Sequence, residues 1–258
     1  MARPDPRHHD AAGPIHVGVG GWSFAPWRGV FYPDGLPQRR ELEYAATHLT
    51  AIEINATYYG RQSKKSWEAW AATVPEQFRF SLKASRYATQ RKVLADSKDS
   101  VTKFLGQGFT ALGGKLGPLL WQLREGKAFE RDDFARFLDL IPDAQDGVPL
   151  RHALEVRDES FRNPAFLELA RARNMAVVFA DSDAFPCIAE QTADFTYARL
   201  QRSVENCATG YDDAALNGWA RQARAWAEGG REVYVYFIAG AKVRNPAAAM
   251  GMIERLGK

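Results

Sequence analysis

Cysteine is scarce: the 258 residues hold two, Cys187 and Cys207. They form no CxxC pair for redox or metal work, and a disulfide framework needs more of them, so reduced thiols and a cytoplasmic setting are expected. Long apolar runs are missing as well. Nowhere do about 18 apolar residues follow one another, so no segment is read as crossing a membrane. The first fourteen residues, MARPDPRHHDAAGP, carry charge and proline but no apolar stretch, so they read as a frayed arm and not as a signal peptide. Excess charge is absent too: Lys plus Arg number 34 and Asp plus Glu 31, a net charge of +3. That is too mild for the whole chain to seek a polyanion, and leaves only a local cluster to do so. No Ser/Gly-rich linker interrupts the sequence, so a single domain over 15–258 is expected after an arm over 1–14.

Several signature motifs are missing in an equally informative way. There is no GxGxxG, Walker, GxSxG or HExxH pattern, which removes the usual warrants for a dinucleotide, a nucleotide triphosphate or a serine nucleophile, and no cofactor is expected. Of five histidines, His8 and His9 fall in the arm, and His16, His48 and His152 show no HxH spacing. A His-rich zinc centre is therefore disfavoured and no metal site is assigned, although Glu53, Asp181 and Glu155 are oxygen donors of the kind that hold Mg2+ or Mn2+.

What the chain does contain is a rhythm. Short runs rich in Val, Ile, Phe and Tyr start at Ile15, Thr50, Arg79, Lys115, His152, Ala176, Phe195 and Glu232, eight candidate strands. Between them lie segments of helical period with recognisable ends: Asn163 and Asn245 at cap positions, each followed by proline, and Asp212 and Asp213 ahead of ALNGWARQARAWA. Others are QRRELEYAATHL, SKKSWEAWAATV, SVTKFLGQGFTALGG and RDDFARFLDLI. Eight units of roughly 32 residues match one strand, one helix and their loops, so the expected architecture is α/β, a single (β/α)8 TIM-type barrel. A doubly wound open sheet is the alternative. Against it stands the first connection, an aromatic loop of about seventeen residues after the first strand, where a dinucleotide fold needs a tight turn.

In a barrel, chemistry collects where the strands end. Glu53 alternates with Ile52 and Ile54, and Glu155 lies between Leu154 and Val156, so both carboxylates face away from their apolar neighbours, toward a barrel's interior. They are candidates for acid/base work, with Lys83 at a strand end as a candidate Schiff-base or phosphate-binding amine. The competing readings are a structural ion-pair network with Lys83, Arg157 and Arg199, carboxylates that simply face outward, and a Lys83 that caps its strand paired to a carboxylate. Trp22, Asn55, Tyr58, Arg86, Gln122, Arg157, Asp181 and Arg199 are the candidate substrate-binding side chains. The loops after the first three strands carry eight cations, Arg28, Arg61, Lys64, Lys65, Lys83, Arg86, Arg91 and Lys92, against Asp34 as the one acid. Interleaved with Trp22, Phe24, Trp27, Phe31, Tyr32, Tyr58, Tyr59 and Tyr87, they suit an anionic or planar ligand, single-stranded nucleic acid included. The same rings also suit the private core that a long loop needs.

The stretches GVGGWSFAPWRGVFYPDGLP, LEYAATHLTAIEINATYYGRQSKKSWEAWAATVPEQFRFSLKA, LGPLLWQL, HALEVRDESF, DFTYARL and EVYVYF resemble, in order and number, the YecE-like family (domain of unknown function 72). The resemblance covers the chain from about Ile15 onward. It implies a TIM-type barrel in a bacterial or archaeal soluble protein, and a ligand site at the strand exits. That site would draw on Gly21, Trp22, Trp27, Phe31, Tyr32, Glu53, Asn55, Tyr58, Lys83, Gln122, Glu155 and Arg157, with Asp181 and Arg199 at later exits. It implies no reaction. Two departures stand out. Where the family commonly reads RLHG this chain has RLQRS, with Gln201, and where it commonly reads YFNND this chain has YFIAGAK, with Ile238, Ala239 and Gly240.

Three functions are expected from these features. The first is an enzyme using carboxylate acid/base chemistry on a small anionic, phosphorylated or sugar-like substrate. The second is nucleic-acid binding or processing along the basic, aromatic rim. The third is a catalytically silent scaffold, to which the altered seventh and eighth exits lend weight.

Overall fold

A computed structural model describes residues 12–257. Residues 1–11 of the expected arm, with His8 and His9, lie outside the described residues. The end of that arm is fastened: Gly13 N donates to Ala227 O at 2.8 Å, and Pro14 O accepts from Val233 N at 2.9 Å.

Nine parallel strand segments form one sheet: β1 (Ile15–Gly20), β2 (Ala51–Ile54), β3 (Arg79–Lys83), β4 (Leu116–Gln122), β5 (His152–Glu155), β6 (Ala176–Val177), β7 (Phe179–Asp181), β8 (Phe195–Leu200) and β9 (Glu232–Phe237). Their spatial order is β6-β5-β4-β3-β2-β1-β9-β8-β7. The two outer members are consecutive in the chain. Ala176 pairs with Ala153 of β5, Phe179 pairs with Ala198 of β8, and Val178 joins the two pieces. The sheet thereby comes round on itself as a TIM-type barrel. The expected run Ala176–Asp181 is thus divided, because one extended segment must leave the register of β5 and enter that of β8 to close the ring.

Helices wrap the outside: α1 (Glu41–His48), α2 (Ala56–Tyr59), α3 (Lys64–Thr73), α4 (Arg86–Thr89), α5 (Lys98–Leu105), α6 (Arg131–Leu138), α7 (Pro164–Ala172), α8 (Asp213–Ala227) and α9 (Asn245–Arg255). Local chemistry starts several of them. Asn163 accepts from Ala165 N and Asp212 from Ala215 N, satisfying backbone donors that a helix start leaves unpaired. Two expectations are corrected. Asn245 is no cap: it is the first residue of α9, and its buried side chain instead accepts from Ser203 Oγ and donates to Ala239 O. The helix expected from Ser100 to Gly114 stops at Leu105 and resumes as a 3-10 turn at Phe109, because Gly108 between them adopts φ +83°.

Two apolar cores result. One lies between sheet and helices, where Phe134, Phe161 and Phe166 pack edge to face; each such fully buried side chain contributes about 1.5–3 kcal/mol. The other fills the barrel interior with Ala51, Leu120, Ala153, Val178, Phe195, Tyr197, Tyr234 and Tyr236. Small residues on one side of the barrel make room for three tyrosines on the other.

Candidate active site

Strand alternation decides which side chains enter the interior. Glu53 follows Ala51 by two residues, Glu155 follows Ala153, and Arg199 follows Tyr197, so all three stand at the C-terminal end of the lumen. Glu53 is 0% exposed, Glu155 1% and Arg199 4%. The guanidinium forks onto Glu53, with Nε to Oε2 and Nη2 to Oε1 both at 3.1 Å, while Nη1 donates to Glu155 Oε2 at 2.5 Å. One arginine from β8 therefore bridges carboxylates from β2 and β5. The Tyr197 hydroxyl donates to Glu53 Oε2 at 2.8 Å, and the Gln122 amide to Glu155 Oε2 at 2.8 Å. Arg157 reaches the remaining Glu155 oxygen at 3.3 Å and stacks its guanidinium on Phe185. Burial of this depth demands such pairing, since an unpartnered charge here would cost several kcal/mol.

These contacts set the protonation states. Burial alone would raise the Glu155 carboxyl, but Arg199, Arg157 and the Gln122 amide outweigh it and hold the group below the usual carboxylate range. Burial likewise works against the Arg199 cation, and Glu155 and Glu53 more than restore it. Both charges are fixed at neutral pH.

Lys83 is different. It ends β3, is half-buried, and takes part in no ion pair or hydrogen bond through Nζ among the described residues. Its amine sits 4.1 Å from the centre of the Tyr58 ring. Burial, then the nearby Arg199 cation, lower it to about 8 against the opposing pull of Glu53 and Glu155. The backbone beneath is held, because Thr57 Oγ1 donates to Lys83 O at 2.7 Å. Above the triad opens a cavity of about 480 Å3 lined by Trp22, Asn55, Lys83, Arg199, Ile238 and Lys242, among others. Lys242, from the turn after β9, packs its amine 4.0 Å from the Phe24 ring centre and is itself lowered by burial.

The remaining candidates divide. Trp22 is half-buried on the cavity wall, edge-on to Trp70, and its carbonyl accepts from the Tyr32 hydroxyl. Asn55 lines the cavity, and its amide lies 3.3 Å from Glu53 O. Tyr58 and Gln122 act on Lys83 and Glu155 from the side. Two residues stand apart from the cluster. Arg86 is exposed at the start of α4 and pairs with the Tyr87 hydroxyl at 3.2 Å. Asp181 falls on the helix-facing parity of β7, as Phe179 does, and binds Arg202 at 3.2 Å. The basic rim also thins: Arg28 turns to buried Glu41 at 2.7 Å, and Lys64 faces Glu68 on its own helix at 3.8 Å. Within the first loop, Trp27 and Tyr32 are buried against each other and against Phe31, so these rings form the loop's own core. Glu53, Asp181 and Glu155 do not converge, and among the described residues no group of three His, Cys, Asp or Glu side chains could hold a metal ion.

Three contributors escape a reading of the sequence. Tyr197 shares its parity with Arg199 in FTYARL and is open to detection on that ground. Tyr236, whose hydroxyl meets Ser81 Oγ at 2.7 Å, carries the same alternation signal in EVYVYF. Lys242 carries none, because it lies in a turn. Gln201 follows Arg199 by two residues, and its Nε2 is buried without a hydrogen-bond partner among the described residues.

Comparison with known proteins agrees with the resemblance read from the motifs. A family model described as "Protein of unknown function DUF72" matches residues 16–258. The UPF0759 protein YunF of Bacillus subtilis (strain 168) is 26% identical over 159 residues, which are 60% of this chain and 54% of that protein. The chain thus spans about half the length of that curated relative. A DUF72 family protein of Thermotoga maritima MSB8 superposes with a TM-score of 0.77 at 22% identity, covering 95% of this chain and 100% of the other. One from Enterococcus faecalis V583 gives 0.73 at 20%, covering 98% and 100%. At such identities the likeness establishes the barrel alone.

Proposed function

The chain belongs to the DUF72 family of proteins of unknown function, and from that premise we propose that it is an enzyme acting on a small anionic, phosphorylated or sugar-like substrate in the cavity above the Arg199 triad. The observation that carries the reading is the charge arrangement at the cavity floor. Arg199 and Arg157 balance Glu53 and Glu155 in direct contacts, which leaves Lys83 without a direct ion-pair partner among the described residues, with Lys242 as a second amine on the wall. A cavity of about 480 Å3 is of the size that encloses small metabolites. Acid/base work needs a group that titrates near the working pH. Glu155 is held ionised, so in this reading the two carboxylates orient Arg199 and stabilise positive charge, and Lys83, near 8, moves the proton.

Calorimetric titration of the full chain with inorganic phosphate and with sugar phosphates tests the proposal. Binding should weaken as salt is raised. It should fall about 10- to 100-fold in Lys83→Met, from the roughly 1.5–3 kcal/mol of a hydrogen bond to a charged group. Equal affinity in wild type and variant, or no binding by either, refutes it.

A second reading has its own observation. Beside the mouth runs a groove of about 380 Å3 lined by Tyr59, Tyr87, Arg61 and Lys103, with Tyr59 68% and Tyr87 58% exposed. Exposed rings between cations suit stacked bases of single-stranded nucleic acid. Filter retention of oligonucleotides that falls steeply with salt supports it; no retention at low salt removes it.

A further inference from the structure

The two amines of the cavity are held in a way that ordinary lysines are not. Each lies against an aromatic face, Lys83 on Tyr58 at 4.1 Å and Lys242 on Phe24 at 4.0 Å, and neither amine meets an acid or a hydrogen-bond acceptor among the described residues. A ring face attracts an ammonium only modestly and leaves a neutral amine's lone pair unengaged. Their settings then diverge. Lys83 is the last residue of a barrel strand, its carbonyl anchored by Thr57; burial first, then Arg199 and more weakly Arg157, disfavour its positive charge, and Glu53 and Glu155, already engaged by those arginines, only partly offset them. Lys242 sits at the cavity edge in the turn leaving β9, with no cation among the described residues acting against it.

We propose that the substrate of this cavity carries a carbonyl group as well as an anionic group, and that Lys83 Nζ condenses with that carbonyl to an imine while Lys242 holds the anion. The proposal rests on the small-anion reading above and names its substrate class: 2-oxo acids or phosphorylated ketones and aldehydes. In the step, the lone pair of neutral Nζ attacks the carbonyl carbon and forms the C–N bond as the C=O π pair moves onto oxygen. One proton passes from nitrogen to that oxygen, giving a carbinolamine. The C–O bond then breaks, the hydroxyl leaves with the second nitrogen proton as water, and C=N forms. Amine and carbonyl give imine and one water, with no oxidant or reductant. Burial, and then the neighbouring Arg199 cation, disfavour the ammonium against the pull of Glu53 and Glu155 and so supply the neutral amine. A lysine lowered to about 8 holds on the order of a hundredfold more free amine at neutral pH than one at the usual value of about 10.4.

The test uses the full chain, pyruvate and dihydroxyacetone phosphate as probes, and sodium cyanoborohydride to trap the imine, with peptide mapping of the reduced adduct. We expect a single adduct at Lys83, formed at least about tenfold faster than at any other lysine, since lower basicity offsets part of the free-amine advantage. The rate should rise with pH to a midpoint near 8 and fall when inorganic phosphate competes. Lys83→Arg, which keeps the charge, should give no adduct at position 83; Lys242→Met should keep the adduct site and raise the probe concentration needed for half-maximal trapping. Adducts spread over surface lysines, or confined to Lys242, overturn the assignment, and the wild-type pH profile decides even where a variant fails to fold. If phosphate binds the wild type and neither probe is trapped at Lys83, the imine falls and the anion site stands. If phosphate does not bind and no adduct forms, both fall.

Discussion

Replacing Arg199 by methionine removes the one side chain that joins Glu53 to Glu155, and the contacts that remain set the consequence. Glu155 keeps Gln122 at 2.8 Å and Arg157 at 3.3 Å. Among the described residues Glu53 keeps only the Tyr197 hydroxyl at 2.8 Å, at a position that is 0% exposed. Breaking a buried pair from one side costs about 3–5 kcal/mol, because a charge is stranded in low dielectric. For a chain of this length that corresponds to a fall in Tm of roughly 6–20 °C. The sign with pH is as informative as the size. In the wild type Glu155 is held low, so its contribution is complete above the unfolded value of about 4.3 and is lost as pH falls through the lower folded value. In Arg199→Met the deficit is complete at neutral pH and shrinks as acid neutralises the stranded carboxyl. Urea unfolding followed by tryptophan fluorescence between neutral and acid pH measures both, and adding Glu53→Gln to the variant should restore part of the loss. A cost under about 1 kcal/mol, or a deficit that grows toward low pH, would refute the account of the triad.

Two further outcomes are expected from other parts of the barrel. At the opposite end of the lumen, burial raises Glu232 but His16 at 2.7 Å and Arg151 at 2.5 Å bring it down to about 2. A depression of that size from about 4.3 is worth on the order of 3 kcal/mol. That stability is complete above about 4.3 and lost as pH falls through about 2. Glu232→Gln should therefore destabilise by about 2–3 kcal/mol at neutral pH, with the gap to wild type closing in acid; a pH-independent gap contradicts the assignment. In the turn after β9, Gly240 has φ +53°, and a Cβ there would sit 2.6 Å from Ser203 Oγ and 2.8 Å from Gln201 O. Gly240→Ala should cost more than about 1–2 kcal/mol by thermal unfolding, and a silent substitution would show that the turn yields.

Much of this architecture is legible in the sequence because the physical signals are local. The bounds Ile15–Gly20, Arg79–Lys83, Phe195–Leu200 and Glu232–Phe237 coincide with the expected strands, since β-branched and aromatic runs ending at turn residues admit few other pairings. Alternation also places Glu53 and Glu155 in the interior. The features that escape depend on partners distant in sequence. AVVFAD reads as one strand, and only the demand of pairing with both β5 and β8 divides it at Val178. Asn245 reads as a cap from the proline after it, until Ser203, 42 positions earlier, claims its side chain. Asp181 ends its strand as Arg199 nearly does, yet its parity turns it toward Arg202 outside the barrel. The decisive property of Lys83 is that, among the described residues, Glu53 and Glu155 act on it only through space and none pairs with it directly, and an absence of contact leaves no trace in a sequence.

The lumen is closed below the site, and that closure confines any chemistry to the rim. Tyr197 and Tyr236 fill the level beneath the triad with hydroxyls bound to Glu53 and Ser81, and Glu232, Arg151 and Tyr234 seal the base. A ligand entering from the mouth therefore meets Arg199 as a floor, with Lys83 beside it. The wall it meets next is set by the β9 exit. Ile238 approaches so closely that a Cβ on Gly20 would lie 2.7 Å from its Cδ1, and Ala239 continues the surface at φ +58°. Polar side chains at these two places would offer hydrogen bonds; Ile238 and Ala239 offer none, which moves polar recognition on that side to Lys242. Floor and wall thus answer to different constraints. The triad is fixed by burial and mutual charge, so altering it threatens the fold, whereas the exit residues face the cavity and are free to vary with the ligand. Substrate identity should accordingly follow the exits of β8 and β9, and exchanging Ile238 and Ala239 for asparagines should change which anions bind while leaving Tm within about 2–4 °C, the shift expected for roughly 1 kcal/mol. Unchanged anion preference in that double variant would place specificity elsewhere on the rim.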